Sequence, residues 1–222
     1  MAVLEEEMIL PNGSILKNRI AKSAMSENLS NKNNEPTATL IEVYKKWAQS
    51  GAGLLITGNI MIDSKAIGEP RNVVVENRKN FGMLKEWAES VNGTNTQLWA
   101  QINHPGRQAM EPINKDLKAP SAVPLKSGGR KDATKKIPIA LSESQILAII
   151  ESFGNTAIIL KDAGFTGVRI METHENYNRQ HQDIREENGI KYGDVLEGVN
   201  FEYAAKLTAV NCLTLASIAA AP

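Results

Sequence analysis

The chain has 222 residues, enough to bury a substantial core as one domain spanning 1–222. Lys+Arg and Asp+Glu number 25 each, so net charge gives no reason to expect nucleic acid or an anionic membrane surface as partner. The single cysteine, Cys212, excludes an internal disulfide framework and fits a reducing, cytoplasmic setting, and no metal site is expected. The acidic start, MAVLEEEMIL, is not a secretory signal, and no uninterrupted apolar run is long enough to span a bilayer.

In chain order, Met8–Leu10 and Ser14–Leu16 flank Pro11-Asn12-Gly13. Asn-Gly supplies the positive φ angles of a tight turn, which predicts a small β-hairpin. Arg19–Met25 follows as the first core strand, and the Asn- and Ser-rich stretch Ser26–Pro36 as a loop. From about Thr37, Leu40, Ile41, Tyr44, Trp47 and Ala48 recur at helical spacing until Gly51. Gly53–Met61 is a nearly continuous apolar run, broken only at Gly58-Asn59, as expected of a strand buried on both faces. After a loop, Asp63–Glu76, a second helix carries Phe81, Leu84, Trp87, Ala88 and Val91 and ends at Gly93.

The third strand lies within Thr96–Gln108. Leu98, Ala100 and Ile102 alternate there with Trp99, Gln101 and Asn103, and Pro105-Gly106 ends the strand. Pro105–Ala140 reads as a long loop. Ser142–Gln145 forms a capping box ahead of a helix carrying Ile146, Ile149, Ile150, Phe153 and Ala157. Phe165–Met171 is the fourth strand. Residues Glu172–Gly193 are strongly polar, and a last helix is expected within Phe201–Leu215.

Strands alternating with helices predict an α/β fold with a parallel sheet and right-handed crossovers. An open doubly wound sheet and part of a (β/α)8 barrel both satisfy that order. No G-x-G-x-x-G follows the first strand, so the dinucleotide fingerprint is missing. Gln101, Asn103, His104 and Arg107 are expected to arrive together at the carboxyl end of one strand, where ligands bind in α/β folds.

Four stretches carry a resemblance. They are KNRIAKSAMSE after the hairpin, GAGLLITGNIMID, WAQINHPGRQA, and KDAGFTGVRI, in that order and through about Ile170. In them the chain resembles the old yellow enzymes, NADH:flavin oxidoreductases with an FMN-binding (β/α)8 TIM barrel. The resemblance implies a partial barrel of about the first four β/α units, with the N-terminal hairpin before it. It also implies an FMN cofactor, NADH or NADPH as reductant and a small-molecule substrate. Ser23, Ala24 and Met25 would pack against the flavin, and Ser26 would stand where the family places a hydrogen-bonding Thr or Cys. Gly58 and Asn59 would line the ring. Gln101 matches the glutamine whose amide bonds the pyrimidine edge, which needs both a donor and an acceptor.

The chain departs from the family after the fourth strand. The family carries His-x-x-His, or His-x-x-Asn, and then Gly-Tyr, to hold a substrate carbonyl and deliver a proton. Here Met171-Glu172-Thr173-His174-Glu175-Asn176-Tyr177 occupies that place. His174 matches the second carbonyl donor, and Tyr177 lies one position beyond the proton donor. Met171 replaces the first donor with a thioether that cannot donate. Losing one of two oxyanion donors costs about 3–4 kcal/mol of transition-state stabilisation. The chain therefore reads as C-terminally truncated, with a divergent tail at 172–222. Other readings stay open: a catalytically impaired or inactive relative acting as a binding protein or non-functional fragment, and a flavin-independent protein that binds an anionic small molecule through the basic loop Lys115–Lys136. A homodimer in which two half barrels face each other would cover strand edges that a half barrel leaves open.

Overall fold

The computed structural model describes residues 4–110, 113–124, 137–170 and 185–192. Its first element is the expected hairpin, strands β1 (Met8–Ile9) and β2 (Ile15–Leu16), antiparallel with Met8 opposite Leu16. Gly13 takes φ +82°, and Asn12 Oδ1 accepts from the Ser14 N–H at 3.1 Å, so the turn residues do what their chemistry allows. The hairpin sits at the amino end of the main sheet. Gln97 Nε2 donates to the Ile15 carbonyl at 2.9 Å, and Lys17 Nζ donates to the Thr94 carbonyl and to Thr96 Oγ1.

The main sheet has five strands: β3 (Ala21–Lys22), β4 (Leu54–Met61), β5 (Val73–Val74), β6 (Gln97–Asn103) and β9 (Gly167–Ile170). Its order is β3-β4-β6-β9, with β5 also paired to β4, and every pairing is parallel. The predicted α/β class and parallel sheet are therefore present. The first strand is shorter than the expected Arg19–Met25, and the cause lies in the side chains beside it. Lys22 Nζ donates to the Ile56 carbonyl at 2.9 Å, and Glu27 Oε1 accepts from the Gly58 N–H at 2.9 Å. Those two backbone groups of β4 would otherwise continue the ladder with residues 23–25, so the pairing stops at Lys22.

Helix α1 (Ala38–Ala48) starts at Thr37, whose Oγ1 accepts from the Leu40 N–H and donates to the Leu29 carbonyl. Leu40, Tyr44 and Ala48, four residues apart, face the sheet. Helix α2 (Phe81–Glu89) ends before the expected Gly93, in turns, and buries Leu84, Trp87 and Ala88. The stretch read as a long loop holds a 3-10 turn (Gly106–Gln108) and a small parallel pair, β7 (Lys118–Ala119) with β8 (Ile139–Ala140).

Helix α3 (Glu143–Ala163) has the predicted capping box. Gln145 N–H donates to Ser142 Oγ at 3.3 Å, and Ser142 N–H donates to Gln145 Oε1 at 2.9 Å. Gly164 closes the helix at φ +106°. Its buried positions, Thr156, Ala157, Ile159, Leu160 and Ala163, all lie in the second half; Ile149 and Phe153 pack against the core only in part, and Ile150 is 60% exposed. Twenty-one helical residues run about 31 Å. The seven residues of β6 span only about 23 Å, so the first turns of α3 overhang the sheet. Ser142→Ala is expected to lower unfolding free energy by about 1 kcal/mol in urea melts, since it removes the cap at that overhanging end.

β9 (Gly167–Ile170) follows α3, within the predicted Phe165–Met171. A second hairpin, β10 (Arg185–Glu187) with β11 (Ile190–Tyr192), falls in the polar stretch and turns at Asn188 (φ +53°) and Gly189 (φ +75°). The expected tail helix lies outside the described residues. The core forms between the helices and one sheet face: Leu55, Ile60, Leu98, Ala100 and Ile102 meet Leu40, Tyr44, Leu84, Trp87, Ala157 and Leu160. Among the described residues, no helix is long and apolar enough to cross a membrane.

Candidate functional site

The face of the sheet turned away from the helices carries a polar row at its carboxyl end, and a bulge in β4 creates it. Leu54 pairs with Gln97 and Ile56 with Trp99, but the register then shifts, so that Asn59 pairs with Gln101 and Met61 with Asn103. Two residues, Thr57 and Gly58, thus oppose Ala100 alone. Without the extra residue, Gly58 would stand beside Gln101, and Asn59 would turn toward the helices. With it, Asn59 joins the face of Gln101. Thr57, fully buried, repairs the broken ladder: its Oγ1 accepts from the Gln101 N–H at 2.9 Å and donates to the Gly58 carbonyl.

Arg169 on β9 pairs with Gln101 in the same register row. Side chains then join across three strands. Arg169 Nη1 donates to Gln101 Oε1, Gln101 Nε2 donates to Asn59 Oδ1 at 2.8 Å, and Asn103 Nδ2 donates to the same oxygen at 3.1 Å. Gln101 is 3% exposed, so a misplaced amide there would be costly. One layer below, Trp99 lies against Gly167, where a Cβ would come within 2.7 Å of the indole.

The segment Ser23–Ser26 leaves β3 beside this row. Ser23 and Met25 are exposed, Met25 at 56%, while Ala24 and Ser26 are half-buried. The next residue ties the segment down. Glu27 Oε1 accepts from the Gly58 N–H and from the hydroxyl of Tyr44, which is fully buried. Burial first, and the Glu27 carboxylate second, push the Tyr44 phenol up, so it stays protonated and donates. Lys22 runs along the helix side, its ammonium 4.5 Å from the Trp47 ring centroid. Burial lowers the Lys22 pKa, and the charge of Glu27 opposes that shift. Gly58 is the contact point: a Cβ would meet the Met25 carbonyl at 2.5 Å and Ser26 Cα at 3.0 Å.

Of the residues expected together after the third strand, Gln101 and Asn103 share the inner row, but His104 and Arg107 do not. Strand alternation sends His104 to the other side, into a cleft bordered by Asp63, Lys118 and Gln145 of α3. Its Nδ1 accepts from the Gly106 N–H at 3.1 Å, and desolvation lowers its pKa. Arg107 donates to the Val123 carbonyl. His174 and Tyr177 lie outside the described residues, as does most of the basic loop, including Lys126, Arg130, Lys131, Lys135 and Lys136. Arg169 and Thr57 were not singled out from sequence. The available signals were a charge between Val168 and Ile170, and a hydroxyl just before the Gly58-Asn59 break.

An amide has two N–H donors and two carbonyl lone pairs, and the row uses one of each on Gln101. What remains can meet a planar ring edge that alternates acceptor and donor. Ser23 and Ala24, both small, lie on the segment beside the row.

The sequence profile of the NADH:flavin oxidoreductase / NADH oxidase family matches residues 11–179. The chain is 30% identical over 180 residues to the NADH-dependent flavin oxidoreductase iliE of Hypocrea jecorina, covering 73% of this chain and 44% of that protein. It is 30% identical over 190 residues to the NADH oxidase of Thermoanaerobacter brockii, covering 82% of this chain and 28% of that one. The chain thus spans less than half the length of these relatives. Its fold matches the old yellow enzyme homologue from Zymomonas mobilis with a TM-score of 0.71 at 21% identity, over 97% of this chain and 60% of that one. The match at 11–179 takes in β2 to β9, the bulge and the whole polar row, and on that ground the chain belongs to the NADH:flavin oxidoreductase / NADH oxidase family.

Proposed function

We propose that the chain is an FMN-dependent NAD(P)H oxidoreductase of the old yellow enzyme type. The observation that carries this reading is the buried Gln101 amide, presented at the carboxyl end of the sheet between Asn59 and Arg169. FMN held there would supply two-electron hydride transfer from NADH or NADPH to an activated alkene or another acceptor. Gln101 and Asn59 hold the pyrimidine edge. Ser23, Ala24 and Met25 pack on the ring, Ser26 supplies a hydroxyl hydrogen bond, and Gly58 keeps that segment close. His174 holds the substrate carbonyl, and Tyr177 supplies a proton to the product. Met171, in the first donor position, cannot donate to the developing oxyanion, so turnover of enones is slow relative to flavin reduction. The reading includes a cytoplasmic setting and a homodimer.

The test is anaerobic mixing of the FMN-loaded chain with NADH and with NADPH, followed at the visible flavin band. Bleaching by at least one of them, and recovery on adding an activated alkene or another acceptor, is the expected result. A bound flavin that neither nucleotide bleaches contradicts the proposal.

A further inference from the structure

Arg169 is the member of the polar row with the least freedom in its hydrogen bonding. A guanidinium donates and cannot accept, and it stays charged at any ordinary pH. Because Arg169 Nη1 donates to Gln101, the atom it meets must be Oε1. Gln101 Nε2 therefore faces β4, and the atom of Asn59 that receives it must be Oδ1. Asn103 Nδ2 donates to the same Oδ1, in agreement with that sense. A glutamine and an asparagine side by side can otherwise pair in either of two senses, because O and N exchange places by a flip of the amide. One donor-only side chain at the end of the row removes that choice for both amides.

We propose that Arg169 is a positioning residue for FMN: it fixes the amide sense of Gln101 and Asn59, and so the order of donors and acceptors shown to the pyrimidine edge, and its charge favours the reduced over the oxidised cofactor. The proposal rests on the FMN reading above. Arg169 is itself exposed, at the end of the row on β9, and its guanidinium carries further N–H groups beyond the one that Gln101 takes. Reduction adds electron density to the pyrimidine half of the ring, where a fixed positive charge lowers its energy.

Three variants separate these roles. Arg169→Gln supplies an amide that can donate or accept, so the sense is no longer fixed, and the charge is gone. Arg169→Lys keeps a donor-only cation. Arg107→Gln removes an equal charge outside the row. FMN affinity is read by quenching of flavin fluorescence and the midpoint potential by dye equilibration, with a thermal melt of each variant to confirm folding.

Arg169→Gln is expected to bind FMN about tenfold more weakly and to lose about tenfold of the preference for the reduced form. For a two-electron couple that preference is about 30 mV to the negative side. Arg169→Lys is expected within about threefold in affinity and close in potential, and Arg107→Gln unchanged in both. If the wild-type chain and all three variants bind FMN equally and at one potential, the role of Arg169 is overturned while the FMN reading stands. A shift in Arg107→Gln as large as in Arg169→Gln also overturns it, since a general charge effect would then suffice. If the folded wild-type chain binds no FMN, the FMN reading fails, and this inference with it.

Discussion

Gly58→Ala is expected to destabilise the chain by about 1–3 kcal/mol and to weaken FMN binding at least tenfold. Gly58 is not among the glycines with positive φ, so alanine meets no backbone penalty there. The obstacle is space. A Cβ would stand 2.5 Å from the Met25 carbonyl oxygen, 3.0 Å from Ser26 Cα and 2.4 Å from Glu27 Oε2. Two of those atoms are backbone. The third belongs to a carboxylate already held by the Gly58 N–H and the Tyr44 hydroxyl, so it cannot simply swing aside. Relief must come from moving residues 25–27 outward, which displaces the run Ser23–Ser26 assigned to the flavin. Urea melts and an FMN titration check both halves. An alanine variant with wild-type stability and affinity would show that this close approach has no part in shaping the site.

Trp87→Ala is expected to cost about 3–5 kcal/mol of folding free energy, the largest loss from a single substitution considered. Trp87 is 1% exposed and packs edge-on against Tyr44 at 5.3 Å and against Phe165 at 5.4 Å between ring centroids. It therefore joins α2 to α1 and to the residue that leads into β9. Its loss would also loosen Tyr44, and through the Tyr44–Glu27 hydrogen bond the segment beside Gly58. Trp87→Phe is expected to cost far less. The aromatic contacts largely survive, and the indole Nε1 is buried with no hydrogen-bond partner among the described residues, so no bond is lost with it. Chemical denaturation of the two variants decides the point; equal losses would mean that the indole's full size, and not its aromatic contacts, is what the core requires.

The features legible in the sequence were those set by one residue's local chemistry. Asn12-Gly13 announces a tight turn because it tolerates positive φ, and Ser142 with Gln145 announces a helix start because both side chains reach free backbone N–H groups. Gln101 was legible through strand alternation and through its place in a recognisable stretch. Arg169 was not, because its importance lies in being opposite Gln101, and the register between β6 and β9 is a property of the sheet and not of either strand. The Gly58-Asn59 break was visible as an interruption. That it adds a residue, and so turns Asn59 onto the inner face, requires the partner strand. The early end of β3 has a similar origin: Lys22 and Glu27 take backbone groups of β4 that a third or fourth ladder rung would use. The second hairpin carried the same Asn-Gly signal as the first, at Asn188-Gly189, but its polar strands show no apolar alternation to draw attention to it.

On the reading proposed above, the inner row at the carboxyl end of this sheet is a flavin site. The most direct measurement is the visible absorption spectrum of the purified chain after incubation with FMN and desalting, taken beside the same spectrum for Gln101→Leu. A retained flavin spectrum is expected for the wild-type chain and its loss from the variant, with both proteins folded by circular dichroism. A colourless, folded wild-type chain would contradict it, and equal retention by the two proteins would place the flavin somewhere other than the Asn59–Gln101–Arg169 row.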